Sequence, residues 1–435
     1  MATITVSLPE LPVGKEYEEF LAAYLQCSGL YVERSVIDRQ EEEVLELDII
    51  TTEYLPNSVP TGRLIEVKSG GWGFPELFKI RGWLDYIGLD YGALLVKQPK
   101  ENQEFHANIA KNLGIHLLAI PEKEGVVEAL FPIINGSQLD GRDISIWRFS
   151  YWIERELLRL LTQKKKSQKS KKCYRALDHY HSLIHNQTFF TENVIDRAEK
   201  LYNDFQNFPY ISAKMANELS GGDFDEEAGQ IPRELFGEAY YKCKINDLAI
   251  STFIENKSRL AVMKAAIDYK IVRDINGDPG KKVDMGFGEI SLYDLLPETF
   301  RSGIDEISKH PYCHRYPVFW QWFLWFMGGF ILEDHRDEEY QLLSQKCGIP
   351  IENIEQAFSS YNLLFPQSGG WLVSQKSSSI SIMKLVPLPF MGLGAHLRKL
   401  RYSKDKKFNT IPLTGNHTLG DLIKWNNAFV GLLAD

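Results

Sequence analysis

The fold of this chain is indicated most directly by the stretch Arg63-Leu64-Ile65-Glu66-Val67-Lys68-Ser69. Its alternation predicts a short β-strand. Successive side chains of a strand point to opposite faces, so Ile65 and Val67 share one face, while Glu66 and Lys68 lie about 6–7 Å apart on the other. A carboxylate beside an ammonium group is suited to binding a divalent metal and to stabilising negative charge. The same tripeptide also fits a surface ion pair on an edge strand, and both interpretations stay open at this point.

The segments on either side predict a mixed sheet. Apolar residues recur at helical spacing in 14–28, and the continuous apolar segment 91–96 is typical of a strand inside a sheet. The predicted elements are a helix over 14–28, strands over 30–37, 44–52 and 63–69, a helix over 75–87, a strand over 91–96, a helix over 104–112 and a strand over 115–120. This α-β-β-β-α-β-α-β order predicts an α/β domain with helices on both faces of a mixed sheet.

The composition is that of a globular protein in a reducing compartment. The 435 residues include 44% hydrophobic and 25% charged residues, and this length predicts two or three domains. The formal net charge of −9 argues against coating of nucleic acid by bulk basic charge, but it allows a local basic groove around an acidic metal site. The five cysteines form no Cys-x-x-Cys pair, so no zinc site is expected. The first residues lack the pattern of a signal peptide, and we therefore expect a cytoplasmic protein.

Charged residues suited to metal chemistry fall on neighbouring predicted elements. Glu18 lies on the first helix, Asp48 on the second strand, and Glu66 and Lys68 on the third. The order Glu … Asp … Glu-x-Lys on this series of elements resembles the PD-(D/E)xK nuclease superfamily. The opening Gly14-Lys-Glu-Tyr-Glu18 looks like the Gly-x-x-aromatic-Glu start of the branch that contains Mrr-type restriction endonucleases and archaeal Holliday-junction resolvases.

The resemblance covers about residues 10–122 and implies a restriction-endonuclease-like fold with a role for each matched residue. Asp48, Glu66 and Glu18 are expected to form the metal site, for Mg²⁺ or alternatively Mn²⁺, and Lys68 is expected to position the attacking water. The chemistry of the residue types agrees with these roles. Phosphodiester hydrolysis develops negative charge that the site must neutralise, and Mg²⁺ prefers one or two carboxylates together with waters and a phosphate oxygen. The two acidic groups are expected to keep Lys68 charged, which suits orientation better than proton abstraction.

Two departures from the family pattern leave alternatives open. Asp48 is preceded by Glu46-Leu47 and not by proline, and Glu46, which shares a strand face with Asp48, is an alternative metal ligand. The helix after Glu-x-Lys lacks the Gln often found in the Mrr-like branch and carries Lys79 and Arg81 instead. These two side chains are expected either to bind nucleic-acid phosphates or to be solvated.

The second half of the chain has a different, mainly helical pattern. We expect a nuclease domain over 1–125 and a mainly helical domain over 126–435, with a sub-boundary near 305–330. Helices are predicted over 144–161, 174–186, 191–207, 232–242, 246–270 and 352–361, and a small β piece within 367–390. The Lys-rich run 164–172 fits either a phosphate contact or a linker. The nearly apolar segment 318–332 is shorter than the roughly 20 residues of a membrane span, so a buried core helix is favoured over a membrane or partner-docking segment.

The function that the resemblance of residues 10–122 implies is metal-dependent hydrolysis of DNA, by an endonuclease of restriction or anti-phage defence. RNA is the alternative substrate, and a DNA repair or junction-resolving nuclease is the alternative role. The alternative from another class is a nuclease-derived, non-catalytic binding or scaffold subunit. We expect the chain to form a homo-oligomer or to bind another protein of a defence system. No binding to a membrane is expected.

Overall fold

The structure of the protein is a computed structural model whose described residues fall into two compact units. Described are residues 10–39, 43–121, 123–134, 139–148, 150–151, 154–155, 195, 197–198, 245–277, 282–284, 286, 288–327, 329–332, 336–365, 373–376 and 381–384. Among them, the first unit runs to residue 151 and the second begins at residue 154. The Lys-rich run and the helices predicted over 174–186 and 232–242 lie outside the described residues, as does nearly all of the helix predicted over 191–207.

The first unit is built on a five-stranded mixed sheet. The strands are β1 (Tyr31–Arg39), β2 (Glu43–Glu53), β3 (Thr61–Lys68), β4 (Tyr91–Val96) and β5 (Ile115–Ala119), and they lie side by side in chain order. β1, β2 and β3 pair antiparallel, whereas β3, β4 and β5 pair parallel. The short connections of the first three strands allow the antiparallel pairing, and each parallel pair is joined by a helical crossover.

Four helices accompany this sheet: α1 (Lys15–Cys27), α2 (Phe74–Ile87), α3 (Gln103–Asn112) and α4 (Val126–Leu130). A buried cluster joins α2 and α3 to one face of the sheet through residues such as Leu64, Leu77, Ile80, Leu84 and Leu94. α1 packs against β1 and β2 with residues that do not belong to that cluster. The predicted element order and the mixed sheet with flanking helices are thus confirmed, and strand and helix ends differ from the prediction by about two residues.

The first unit continues past the sheet into a helical segment at residues 141–148 and 150–151, the described part of the helix predicted over 144–161. Here the Tyr151 hydroxyl donates a hydrogen bond to Gln26 Oε1 on α1, at 3.3 Å. The Arg34 guanidinium of β1 lies 4.6 Å from the Tyr151 ring centre. The predicted domain boundary at 125 stays a prediction, while the compact unit around the sheet extends to this segment.

The second unit contains helices and two small sheets. The helices are α5 (Ile245–Asn276), α6 (Leu292–Leu295), α7 (Glu298–Ile307), α8 (Tyr316–Gln321), α9 (Arg336–Cys347) and α10 (Ile354–Leu364). β6 (Lys282–Asp284) pairs with β7 (Glu289–Ser291), and β8 (Phe330–Leu332), β10 (Ser381–Lys384) and β9 (Val373–Lys376) pair antiparallel in that order. The helices predicted over 246–270 and 352–361 and the β piece within 367–390 are confirmed.

The Trp-rich segment lies in the core of the second unit. Residues 318–326 are buried, and the Phe319 and Phe323 rings pack within 4.9 and 5.0 Å of the Phe358 ring centre. The prediction of a single helix over 318–332 was wrong: α8 ends at Gln321, a π-helical turn follows over Trp322–Phe326, and β8 begins at Phe330. Gly329, with φ 75°, allows the chain to turn between the two. In the described part of the chain, no helix is long and apolar enough to cross a membrane.

Candidate active site

The candidate site lies where β2 separates from β3. The ladder between these strands runs from Glu53–Thr61 to Ile49–Ile65 and stops there. Asp48 is the next residue of β2, and its Oδ2 accepts a hydrogen bond from the Val67 backbone N–H at 2.9 Å. The side chain thus takes the place that a ladder carbonyl would have, and it is fixed beside Glu66. Both carboxylates are buried, with 8% of Asp48 and 1% of Glu66 exposed.

One carboxylate oxygen of Glu66 accepts hydrogen bonds from two lysine side chains. Glu66 Oε1 accepts hydrogen bonds from Lys68 Nζ at 2.6 Å and from Lys79 Nζ at 3.1 Å. The Lys79 ammonium also lies 3.9 Å from the centre of the Trp83 ring, one turn further along α2. The other oxygen, Glu66 Oε2, is buried and has no hydrogen-bond partner. A buried carboxylate oxygen without a partner is costly, and a cation or a bound water would satisfy it.

The electrostatics of the site are those of crowded carboxylates that need positive charge. Burial, followed by the charges of Glu66 and Glu18, raises the pKa of Asp48 to about 7, although the Val67 N–H and Lys68 act in the opposite direction. Burial by itself would lower the pKa of Lys68, but its hydrogen bond to Glu66 and the surrounding acidic charges raise it. Lys68 is therefore a cation at neutral pH and is suited to orientation and charge stabilisation rather than to proton abstraction.

Glu18 is positioned by the way α1 is attached to the sheet. Gly14, with φ 58°, begins this helix, and its N–H donates to Ser69 Oγ at 2.7 Å, just after β3. The Tyr17 hydroxyl donates to the Ile120 carbonyl at 3.0 Å and so ties the same turn to the end of β5. Burial raises the pKa of Glu18, against the lowering effect of Lys15.

Lys15 and Glu46 extend the site outward. Lys15 Nζ lies 3.2 Å from Glu18 Oε2 and 2.8 Å from Glu46 Oε1. The side chain of Glu46, the alternative metal ligand, is 36% exposed, whereas Asp48 and Glu66 are buried. Because water solvates the charge of Glu46 but not those of the two buried carboxylates, the buried carboxylates have the greater need of a cation.

The predicted site residues separate into two groups in space. Lys79 joins Glu66 and Lys68, whereas Arg81 is paired with Asp85 on α2. Side chains two residues apart on an α-helix point about 200° apart around its axis, so Lys79 and Arg81 face different surroundings. Lys15 and Trp83 were not identified from the sequence, although the spacings Lys15–Glu18 and Lys79–Trp83 place each pair on one helix face.

The residues present fit a divalent cation bound by few protein ligands. No three His, Cys, Asp or Glu side chains among the described residues are close enough to form a ready-made metal cluster. Mg²⁺ takes one or two carboxylates and keeps several waters, so the pair Asp48 and Glu66 meets its needs. The partnerless Glu66 Oε2 and the raised pKa of Asp48 are the two features that such a cation would relieve.

Comparisons with known proteins add no relative to this description: no family model, no curated protein and no solved structure matches the chain.

Proposed function

We propose that this protein is a Mg²⁺-dependent nuclease that hydrolyses DNA phosphodiester bonds, with a restriction-endonuclease-like first unit and a mainly helical remainder. One observation carries the proposal. Two buried carboxylates, Asp48 and Glu66, sit where two strands part, and two lysine ammonium groups lie on one of them. Acidic groups that bind a cation, beside cations that neutralise a phosphate, are the combination that phosphodiester hydrolysis requires.

In this proposal each side chain has a defined task. Asp48 and Glu66 would hold the metal, with Glu18 beside them, and a bound Mg²⁺ would supply positive charge and lower the pKa of a coordinated water. Lys68 stays protonated, orients the attacking water and stabilises charge on the phosphate. Lys79, whose side chain is 43% exposed, donates to a phosphate oxygen from the solvent side.

The biological role follows the resemblance of residues 10–122 and not any single side chain. Restriction or anti-phage defence is the role we propose, and junction resolution is the alternative. A substrate panel separates them, since a resolvase prefers four-way junctions over linear and circular duplexes.

Cleavage of plasmid DNA and of single-stranded DNA by the full chain tests the proposal. Wild type is expected to cut with Mg²⁺ or Mn²⁺ and to be inactive in EDTA. Glu66→Gln and Lys68→Met keep the approximate shape of the two side chains and are expected to lower the rate by about 100-fold or more, since each removes charge from the reacting centre. Lys79→Ala is expected to cost roughly tenfold.

Arg81→Ala is the matched control, because Arg81 lies two residues from Lys79 on the same helix but pairs with Asp85. Its rate is expected to stay within about twofold of wild type, as for an exposed helix substitution. An inert wild type across both metals and both DNA and RNA would contradict the nuclease proposal. So would a Glu66→Gln variant that is folded and fully active.

A further inference from the structure

A cluster of aromatic side chains lies beside the candidate site, and we call it the aromatic shelf. It consists of Trp72, Phe74, Phe105 and His106, whose rings contact one another, and of Phe78, which lies one turn after Phe74 on α2. The Phe74 ring stacks on the His106 ring at 4.6 Å with an 11° interplanar angle, and Phe105 meets Phe74 edge-on at 5.8 Å. Phe78 and Phe105 are 59% and 57% exposed, far more than a large apolar side chain with only a packing role.

The shelf lies at the edge of the sheet where the parallel strands β3 and β4 end. Trp72 and Phe74 follow β3, while Phe105 and His106 follow β4, and the Trp72 indole N–H donates to the Gln98 carbonyl at 2.7 Å. Ligands of such sheets bind outside the carboxyl ends of the strands. Glu66 and Lys68 are among the last residues of β3, so the shelf and the candidate site share one edge.

Helix α2 links the shelf to the site directly. Phe74 and Phe78 are one turn apart on this helix, and Lys79, the residue after Phe78, lies on Glu66. A nucleic-acid strand whose phosphate contacts Lys79 therefore passes next to the helical turn that carries Phe78.

The charge around the shelf is too small to hold a polyanion without other contacts. Lys100 Nζ lies 5.6 Å from the Trp72 ring, but the exposed Glu101 and Glu104 are close to it in the chain. The whole chain carries a formal net charge of −9. Among the described residues near the shelf, the groups that can bind nucleic acid are therefore the metal site, a few lysines and the aromatic rings that face the bases.

We propose that the aromatic shelf stacks unpaired nucleobases, so that the substrate is a strand with single-stranded character at the cleavage position: an overhang, a flap or an opened duplex. The proposal rests on the proposed nuclease function and names its substrate class. Stacking on an aromatic face contributes about 1–3 kcal/mol per base and tolerates every sequence. A closed duplex offers no free base face to Phe78 or Phe105, and it is bound only through phosphates.

Fluorescence anisotropy of the full chain in EDTA tests base stacking without cleavage. The probes are a fluorescein-labelled oligothymidylate of about 12 nucleotides, a strand of equal length made of abasic sites, and the corresponding duplex. Oligothymidylate is expected to bind at least about tenfold tighter than the abasic strand, since only the bases differ. The double variant Phe78→Ala, Phe105→Ala is expected to lose about 10- to 100-fold in affinity for oligothymidylate and little for the abasic strand.

Tyr91→Ala is the matched control, because this tyrosine is 52% exposed and lies at the opposite end of β4. It is expected to bind all probes as wild type does. Equal affinities for the oligothymidylate and the abasic strand, or no binding of either, would overturn the proposal. A double variant that changes the oligomeric mass, with unchanged oligonucleotide affinity, would assign the shelf to a protein contact instead. Base-dependent binding without any cleavage would retain the shelf and reject the nuclease, so the two proposals fail separately.

Discussion

At the scale of residues, the buried Asp48 shows how one side chain links strand pairing to chemistry. Its carboxylate replaces a missing ladder carbonyl on the Val67 N–H, and it is held close enough to Glu66 for the two charges to repel. The Lys68 and Lys79 ammonium groups offset part of this repulsion from the Glu66 side. The site thus keeps two buried carboxylates close together where a divalent cation would bind, at a cost in stability.

That cost predicts a pH dependence. The pKa of Asp48 rises from 3.8 to about 7 on folding, first through burial and then through the charges of Glu66 and Glu18. The folded protein therefore binds this proton more tightly than the unfolded chain, and the free energy of unfolding falls as pH increases between about 4 and 7. Asp48→Asn removes the charge and keeps an oxygen for the Val67 N–H. Without metal, we expect its melting temperature to exceed that of wild type by more at pH 8 than at pH 5. The gain in free energy of unfolding is at most roughly 4 kcal/mol.

Thermal unfolding in EDTA at the two pH values measures this effect. Added Mg²⁺ provides the complementary readout, since a ligand that binds only the folded state raises its melting temperature. Wild type is expected to respond to Mg²⁺ and Asp48→Asn to respond less. A variant that is destabilised more strongly at pH 8 than at pH 5 would contradict the raised pKa.

At the scale of elements, the close packing of α2 on β4 determines where Lys79 points. Gly92 of β4 lies under this helix, and a Cβ atom there would meet Leu84 Cδ1 at 2.7 Å and Ile80 Cγ2 at 3.1 Å. Both neighbours are completely buried, so they have little room to move. The missing side chain of Gly92 is what allows α2 to approach the sheet and bring Lys79 to Glu66.

Two glycine substitutions test this packing in opposite directions. Gly92→Ala is expected to destabilise the protein by about 1–3 kcal/mol through overpacking, and to weaken the alignment of Lys79 with Glu66. Gly82 lies on α2, and a Cβ atom added there would have no atom within 4 Å. We therefore expect Gly82→Ala to leave the free energy of unfolding unchanged or to raise it by about 0.5–1 kcal/mol. Urea unfolding of both variants measures the difference. A Gly92→Ala protein as stable as Gly82→Ala would show that the helix is not held this closely.

At the scale of the whole molecule, the net charge of −9 limits how the proposed nuclease can bind nucleic acid. The described cations near the candidate site and the shelf are few, among them Lys68, Lys79 and Lys100. Each neutralised phosphate of a single strand adds about 0.7 to the slope of log affinity against log salt concentration. We therefore expect a slope below about 3 in magnitude, which is shallow for a nucleic-acid-binding protein.

Anisotropy titrations of oligothymidylate at increasing salt measure this slope. A magnitude above about 6 would require many more phosphate contacts than these lysines provide. The Lys-rich run 164–172, which lies outside the described residues, would then be the first candidate for those contacts. Replacing its lysines by glutamine would identify it, since the slope should return to the shallow value.

Local pattern was enough to predict the framework of the first unit. The alternation around Glu66 and the apolar segment 91–96 predict β3 and β4 because side chains of a strand alternate and interior strands are apolar. The helical spacing in 14–28 predicts α1 in the same way. These patterns depend only on residues that are close in the chain, so they can be recognised without knowledge of the fold. The structure of the Trp-rich segment 318–332 was harder to predict. Its residues are apolar on nearly every side, so the sequence shows no hydrophobic period that would distinguish a helix from the strand β8.

The order of elements in the first unit, and the acidic and basic residues that they carry, could therefore be predicted from local patterns in the chain. Which of those residues meet became evident only from the fold: Lys79 contacts Glu66, Arg81 pairs with Asp85, and Asp48 accepts the Val67 N–H. These contacts depend on how far β2 departs from β3 and how closely α2 sits on Gly92. Both follow from packing between residues distant in the chain, which no local pattern encodes.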